Sequence, residues 1–144
     1  MPNHIWSVLC TKASIDRETN IVSLLEIVEE ITIASPLPAA TNGPVVLAVR
    51  AEFVSLWERN RAQEPERALG RLTIQGPTGR PLGGAEFEIN LGEKSRTRTI
   101  AKLEGLPVSG AGRHAMVVEC RSVPENEWAQ VARIPFELVI PPQQ

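Results

Sequence analysis

The sequence predicts an all-β fold: an antiparallel β-sandwich of about eight strands, immunoglobulin-like or C2-like in general architecture. Three observations predict it. Short runs alternate apolar and polar residues, as in GGAEFEINLG. Turn signals such as GPTGRPLGG, LGEKS, PVSGAGR and SVPENE separate those runs. β-Branched residues are dense in NIVSLLEIVEEITI at 20–33, the one stretch whose periodicity also fits a helix.

The elements follow in order. Residues 4–12 form an extended run, and SIDRETN after it reads as a hairpin loop. In 20–33 the helical stripe Ile21, Leu24, Leu25, Val28 and Ile31 competes with a strand face through Ile21, Ser23, Leu25 and Ile27. Branched side chains lose freedom in a helix, and Glu26, Glu29 and Glu30 would crowd the negative end of its dipole. One long strand, with room for a bulge, is therefore expected. ASPLPAATNGP at 34–44 reads as a Pro-rich connection that crosses between sheets. GPVVLAVRAEFVSLW reads as a strand ending at Trp57, and ERNRAQEPER at 58–67 as a loop or one helical turn. In RALGRLTIQG, Leu72 and Ile74 share one face, and Arg71, Thr73 and Gln75 share the other. In GGAEFEINLG, Ala85, Phe87, Ile89 and Leu91 face in, while Glu86, Glu88 and Asn90 face out. SRTRTIAKL, HAMVVECR and WAQVARIPFELVI complete the set. One register is expected across a hairpin, with Glu88 opposite Arg98 and Asn90 opposite Arg96.

The 144 residues suit one domain, 1–144, with no internal repeat. A net charge of −2 gives no case for nucleic acid or an anionic membrane. The N-terminus MPNHIWSVLCTKAS lacks a basic, then long apolar, targeting pattern. Leu9 stands before Cys10 where a lipid-attachment motif needs a small residue. A cytoplasmic protein is expected. Cys10 and Cys120 both lie in apolar stretches and read as buried reduced thiols, their proximity left open.

The opening IWSVLCTKASIDRETNIVSLLEIVEEITI resembles the N-terminal hairpin of a family of small bacterial β-sandwich domains of unknown function. HAMVVEC and WAQVARIPFELVI are similar to that family's closing strands. The resemblance covers about half of the chain and rests on hydrophobic pattern. It implies a β-sandwich, and it brings no activity or catalytic residue. The immunoglobulin pattern itself fits less well, because the chain has no tyrosine for a tyrosine corner.

Chemical signatures are sparse. His4 and His114 are the only histidines and Asp16 the only aspartate, so neither zinc nor calcium is expected, nor any cofactor. GPTGRPLGG matches no phosphate-loop pattern and reads as a long hairpin turn. There is no GxSxG, and His114 and Cys120 sit too far apart along one regular strand to touch. His114 reads as a surface histidine at a strand end or loop. Trp6, Trp57 and Trp128 either pack or form a ligand shelf. The least ordinary surface feature is KSRTRTIAK. Its Arg96, Arg98 and Lys102 are the candidate binding residues for an anion or an acidic partner, unless the arginines simply pair with Glu86 and Glu88. No aromatics interleave with them, which argues against a nucleic-acid platform. The leading expectation is a non-enzymatic interaction or structural module acting through a sheet edge or face on a protein partner or a second copy. The alternative is a small-molecule or anion binder, or small enzyme, with a site in the loops.

Overall fold

The computed structural model describes residues 1–33, 45–125 and 127–140. The expected connection at 34–44 lies outside the described residues. The described chain is all β. Its strands are β1 (Asn3–Ile15), β2 (Val22–Ile27), β3 (Glu30–Thr32), β4 (Val45–Leu47), β5 (Ala51–Glu58) and β6 (Glu66–Gln75). They continue as β7 (Pro81–Leu91), β8 (Arg96–Leu103), β9 (Leu106–Val108), β10 (Gly112–Ser122) and β11 (Ala129–Val139). Three sheets result: β2-β1-β5-β8, β3-β11-β10-β6-β7, and the small pair β4-β9.

The number of strands exceeds the expected eight or so for a physical reason. Two long expected strands are each broken. The stretch 20–33 leaves one sheet at Ile27 and enters another at Glu30, with Val28 and Glu29 between. The Val28 N–H still donates to the Leu9 carbonyl at 2.8 Å, and the Glu29 carbonyl accepts from Glu137 at 3.0 Å. The stretch 45–58 is likewise divided into β4 and β5. β9 is short and was not expected. The antiparallel expectation also needs one correction: β3 pairs with β11 in parallel, Ile31 opposite Leu138.

The core draws on both larger sheets. Leu9, Phe53 and Trp57 come from the four-stranded sheet, and Leu72, Met116 and Phe136 from the five-stranded one. Fully burying a side chain of this size stabilises by about 1.5–3 kcal/mol. The expected faces of β6 and β7 hold: Leu72 and Ile74 are buried, as are Ile89 and Leu91, while Glu86, Glu88 and Asn90 are exposed. The one polar group of Trp57 is satisfied inside, its Nε1–H donating to Ser55 Oγ at 2.7 Å. Ser55 in turn hydrogen-bonds Thr99 across the β5–β8 pair.

The hairpin register between Glu88 and Arg98 does not form. Among the described residues β7 pairs only with β6, which puts Glu88 opposite Leu69, and β8 pairs with β5, which puts Arg98 opposite Leu56 and Arg96 opposite Glu58. The segment between Leu91 and Arg96 carries the chain from one sheet to the other instead of reversing it within one. Arg59 holds that corner, donating from Nε to the Leu91 carbonyl at 2.9 Å and from Nη2 to the Gly92 carbonyl at 3.0 Å. The cysteines lie on strands of different sheets, both free and buried.

Candidate functional site

Two features of the four-stranded sheet stand out. The first is a basic recess where β8 meets the tip of the β1–β2 hairpin. Asp16 shapes that tip. Its Oδ1 accepts from the Glu18 and Thr19 N–H groups, each at 2.9 Å, and its carbonyl accepts from Asn20 at 2.9 Å. Those N–H bonds, Thr19 first, hold the Asp16 carboxyl below its usual range. Asn20 closes the turn in the left-handed region at φ 59°, which asparagine tolerates. The tip then reaches over β5 to β8, where Arg98 Nη2 donates to the Asn20 carbonyl at 3.2 Å.

The recess so formed has a volume of about 290 Å³. Ile15 and Leu56 supply its apolar walls, and Lys94, Arg96 and Arg98 its cations. Arg96 is compensated by Glu58 at 3.2 Å. Among the described residues, Lys94 and Arg98 have no ion-pair partner. Arg98 Nε is buried and without a hydrogen-bond partner among the same residues.

The structure therefore brings together two of the three candidates. Lys102 does not join them: it lies opposite Glu52, six residues along the strand from Arg96, or roughly 20 Å. Among the described residues neither arginine pairs with Glu86 or Glu88, and Glu88 lies 4.0 Å from Arg67 instead. Ile15, Asn20 and Leu56 were invisible as site residues, because nothing in their spacing shows that the hairpin tip folds across the sheet.

The second feature is the edge strand β2. Ile21, Leu25 and Ile27 are 63 %, 50 % and 54 % exposed, while Val22 and Leu24 on the other face are half-buried. Among the described residues, β2 has β1 on one side and no strand on the other. Glu26, Glu29 and Glu30 beside the stripe are exposed.

The remaining candidates resolve as packing. His114 is buried, not at the surface. Its Nε2 accepts from the Ser109 N–H at 3.2 Å and its Nδ1–H donates to the Gly112 carbonyl at 3.1 Å, pinning the β9–β10 turn. Its ring stacks on Phe136 at 5.3 Å. His4 Nε2 lies 2.6 Å from Ser7 Oγ, and burial pushes its pKa down. The tryptophans do not stand together as a shelf: Trp57 is in the core, Trp6 lies on β1 opposite Leu56, and Trp128, next to β11 of the other sheet, lies under the Arg71 and Arg121 guanidinium groups at 4.2 Å and 5.2 Å. A second recess of about 330 Å³ runs past Gly83 and Gly84, but its cation Arg71 is already engaged by Glu119 at 2.9 Å. No three His, Cys, Asp or Glu side chains group as metal ligands among the described residues. Of GPTGRPLGG only residues 76–80 form the hairpin turn, closed by Gly76 N–H to the Arg80 carbonyl at 2.9 Å, and the rest belongs to β7.

No protein-family model matches the chain, and no curated protein matches it at a significant level. No helix among the described residues is long and apolar enough to cross a membrane. An exposed apolar edge offers unpaired backbone groups and a greasy stripe to an extended segment. The recess offers oriented cations beside an apolar wall.

Proposed function

We propose that the chain is a single-domain, two-sheet β-sandwich of immunoglobulin-like or C2-like general architecture, working in the cytoplasm as a non-enzymatic interaction module. The shared core of the two larger sheets supports the sandwich reading, and the two free thiols support the compartment. Both histidines are engaged in local hydrogen bonds, which supports a binding role over a catalytic one.

The observation that carries the reading is the edge strand β2, with Leu25 and Ile27, and Ile21 just before it, at least half exposed. Such an edge is a template for strand addition. The partner that fits on charge and direction is a second copy of the chain, through its β8. β8 is the opposite edge of the same sheet among the described residues, carries Arg96 and Lys102 near its ends, and exposes Ile100 by 38 %. The acidic residues beside β2 complement those cations. All four strands alternate in direction, so β2 and β8 run opposite ways. A head-to-tail repeat of the sheet therefore sets β8 antiparallel to the next copy's β2.

The test is solution mass by size-exclusion chromatography with light scattering, across protein and salt concentration. Assembly that weakens with dilution and salt, and is abolished by Ile27→Lys, is the expected result. A monomer at every concentration, or assembly that Ile27→Lys leaves intact, overturns the reading.

A further inference from the structure

We propose that the recess between β8 and the β1–β2 hairpin tip binds a carboxylate carrying a small apolar group. Three observations carry this. The recess holds a net positive charge: Arg96 is compensated by Glu58, but Lys94 and Arg98 have no acidic partner among the described residues, and no carboxylate lines the walls. The Arg98 guanidinium is held in place from across the sheet, its Nη2 bonded to the carbonyl of Asn20 at 3.2 Å. Its Nε is buried with no acceptor among the described residues, although buried donors are paired in the great majority of cases. An oxyanion in the recess meets the uncompensated charges of Arg98 and Lys94, while the Nε itself stays covered by the protein.

The class of ligand follows from the lining. A planar guanidinium fork matches a carboxylate edge, with geometry as well as charge to recommend it. Ile15 and Leu56 form a wall that an inorganic anion leaves unused, whereas an aliphatic group covers it. The volume of about 290 Å³ lies at the small end of ligand sites. Two sources offer this chemistry: a free short-chain acid, and the C-terminus of a peptide ending in an aliphatic residue.

Isothermal titration calorimetry on the full chain at low salt tests the proposal. The probes are hexanoate, acetate, inorganic phosphate, N-acetyl-Gly-Gly-Leu as the free acid, and the same peptide as its amide. Hexanoate or the peptide acid binds at least ten-fold more tightly than acetate, phosphate and the amide. Preference for hexanoate assigns the free-acid source, and preference for the peptide acid assigns the C-terminal source. Arg98→Met loses at least ten-fold in affinity. Lys94→Glu, at an exposed position outside the strands, weakens binding without touching the fold, so the result stands even if Arg98→Met unfolds. Arg80→Ala, in the turn between β6 and β7 on the other sheet, leaves affinity unchanged. Acetate or phosphate binding as tightly as hexanoate and the peptide acid overturns the proposal. So does binding that survives Lys94→Glu, or no binding by any probe.

Discussion

Arg59 shows how much one surface-reaching side chain can hold. It donates to three carbonyls, of Leu91, Ala62 and Gly92, at 2.9–3.0 Å, and so joins the β5–β6 loop to the corner between β7 and β8. Hydrogen bonds from a charged donor outweigh neutral ones. Arg59→Ala is expected to destabilise the fold by about 2 kcal/mol, read from the urea midpoint at unchanged slope. Cys120 gives a pH dependence of definite sign. Burial, ahead of the smaller influences of the N-terminus and Glu66, pushes its thiol up to about 11 from 9.0. The unfolded thiol ionises first, so its contribution to stability is complete below about pH 9 and is lost as pH rises toward 11. Stability of the native chain should therefore fall over that window, and Cys120→Ala should flatten the fall. The native thiols should also react slowly with a disulfide reagent at pH 8 and rapidly in denaturant. Little of this was legible in the sequence. HAMVVEC marks a strand, but the groups that bury and bind His114 come from Ser109, Gly112 and Phe136, at three different distances along the chain.

At the scale of the element, alternation proved reliable for faces and silent about neighbours. The pattern of β7 assigned Ile89 and Leu91 to the core and Glu88 to solvent, as found. The same pattern is compatible with any partner strand, so the expected pairing with β8 failed while the faces held. The stretch 20–33 teaches a related point. Its conflict between helical and strand spacing is the trace of a break: Val22 and Leu24 are half-buried before it, Val28 within it and Ile31 and Ile33 after it pack on the core, and Glu26 at φ 53° bends the strand ahead of it. The β6–β7 pair depends on a missing side chain. Gly70 lies opposite Phe87, and a Cβ on it would fall 2.2 Å from the Phe87 ring. That ring is also tilted on Phe53 at 5.8 Å and Trp57 at 6.3 Å, so it has little room to retreat. Gly70→Ala should cost about 1–3 kcal/mol by overpacking, measured by thermal or urea unfolding, and Gly70→Ala with Phe87→Leu should recover part of the loss.

For the whole molecule, most strand pairing is distant in sequence. β5 joins β1 and β8, with Leu9 opposite Phe53 and Val54 opposite Ile100, and β10 joins β6, with Leu72 opposite Val118. Loops of that length must close before the pairs stabilise anything. Folding should fall in the millisecond-to-second range of all-β domains, and stopped-flow fluorescence of the three tryptophans, of which Trp57 is fully buried, would follow it. The sequence carried the class of the fold because local alternation sets it, but not the strand order, which long-range contacts decide. The two residues between β2 and β3 act on this global scale too. Odd-numbered Ile21, Leu25 and Ile27 look outward before Val28 and Glu29, and odd-numbered Ile31 and Ile33 pack inward after them. The link is a phase inverter for the pleat. Its length is consequently under far tighter constraint than its composition. Replacing exposed Glu29 alters one side chain, whereas adding or deleting a single residue there rotates every side chain of β3 to the wrong side.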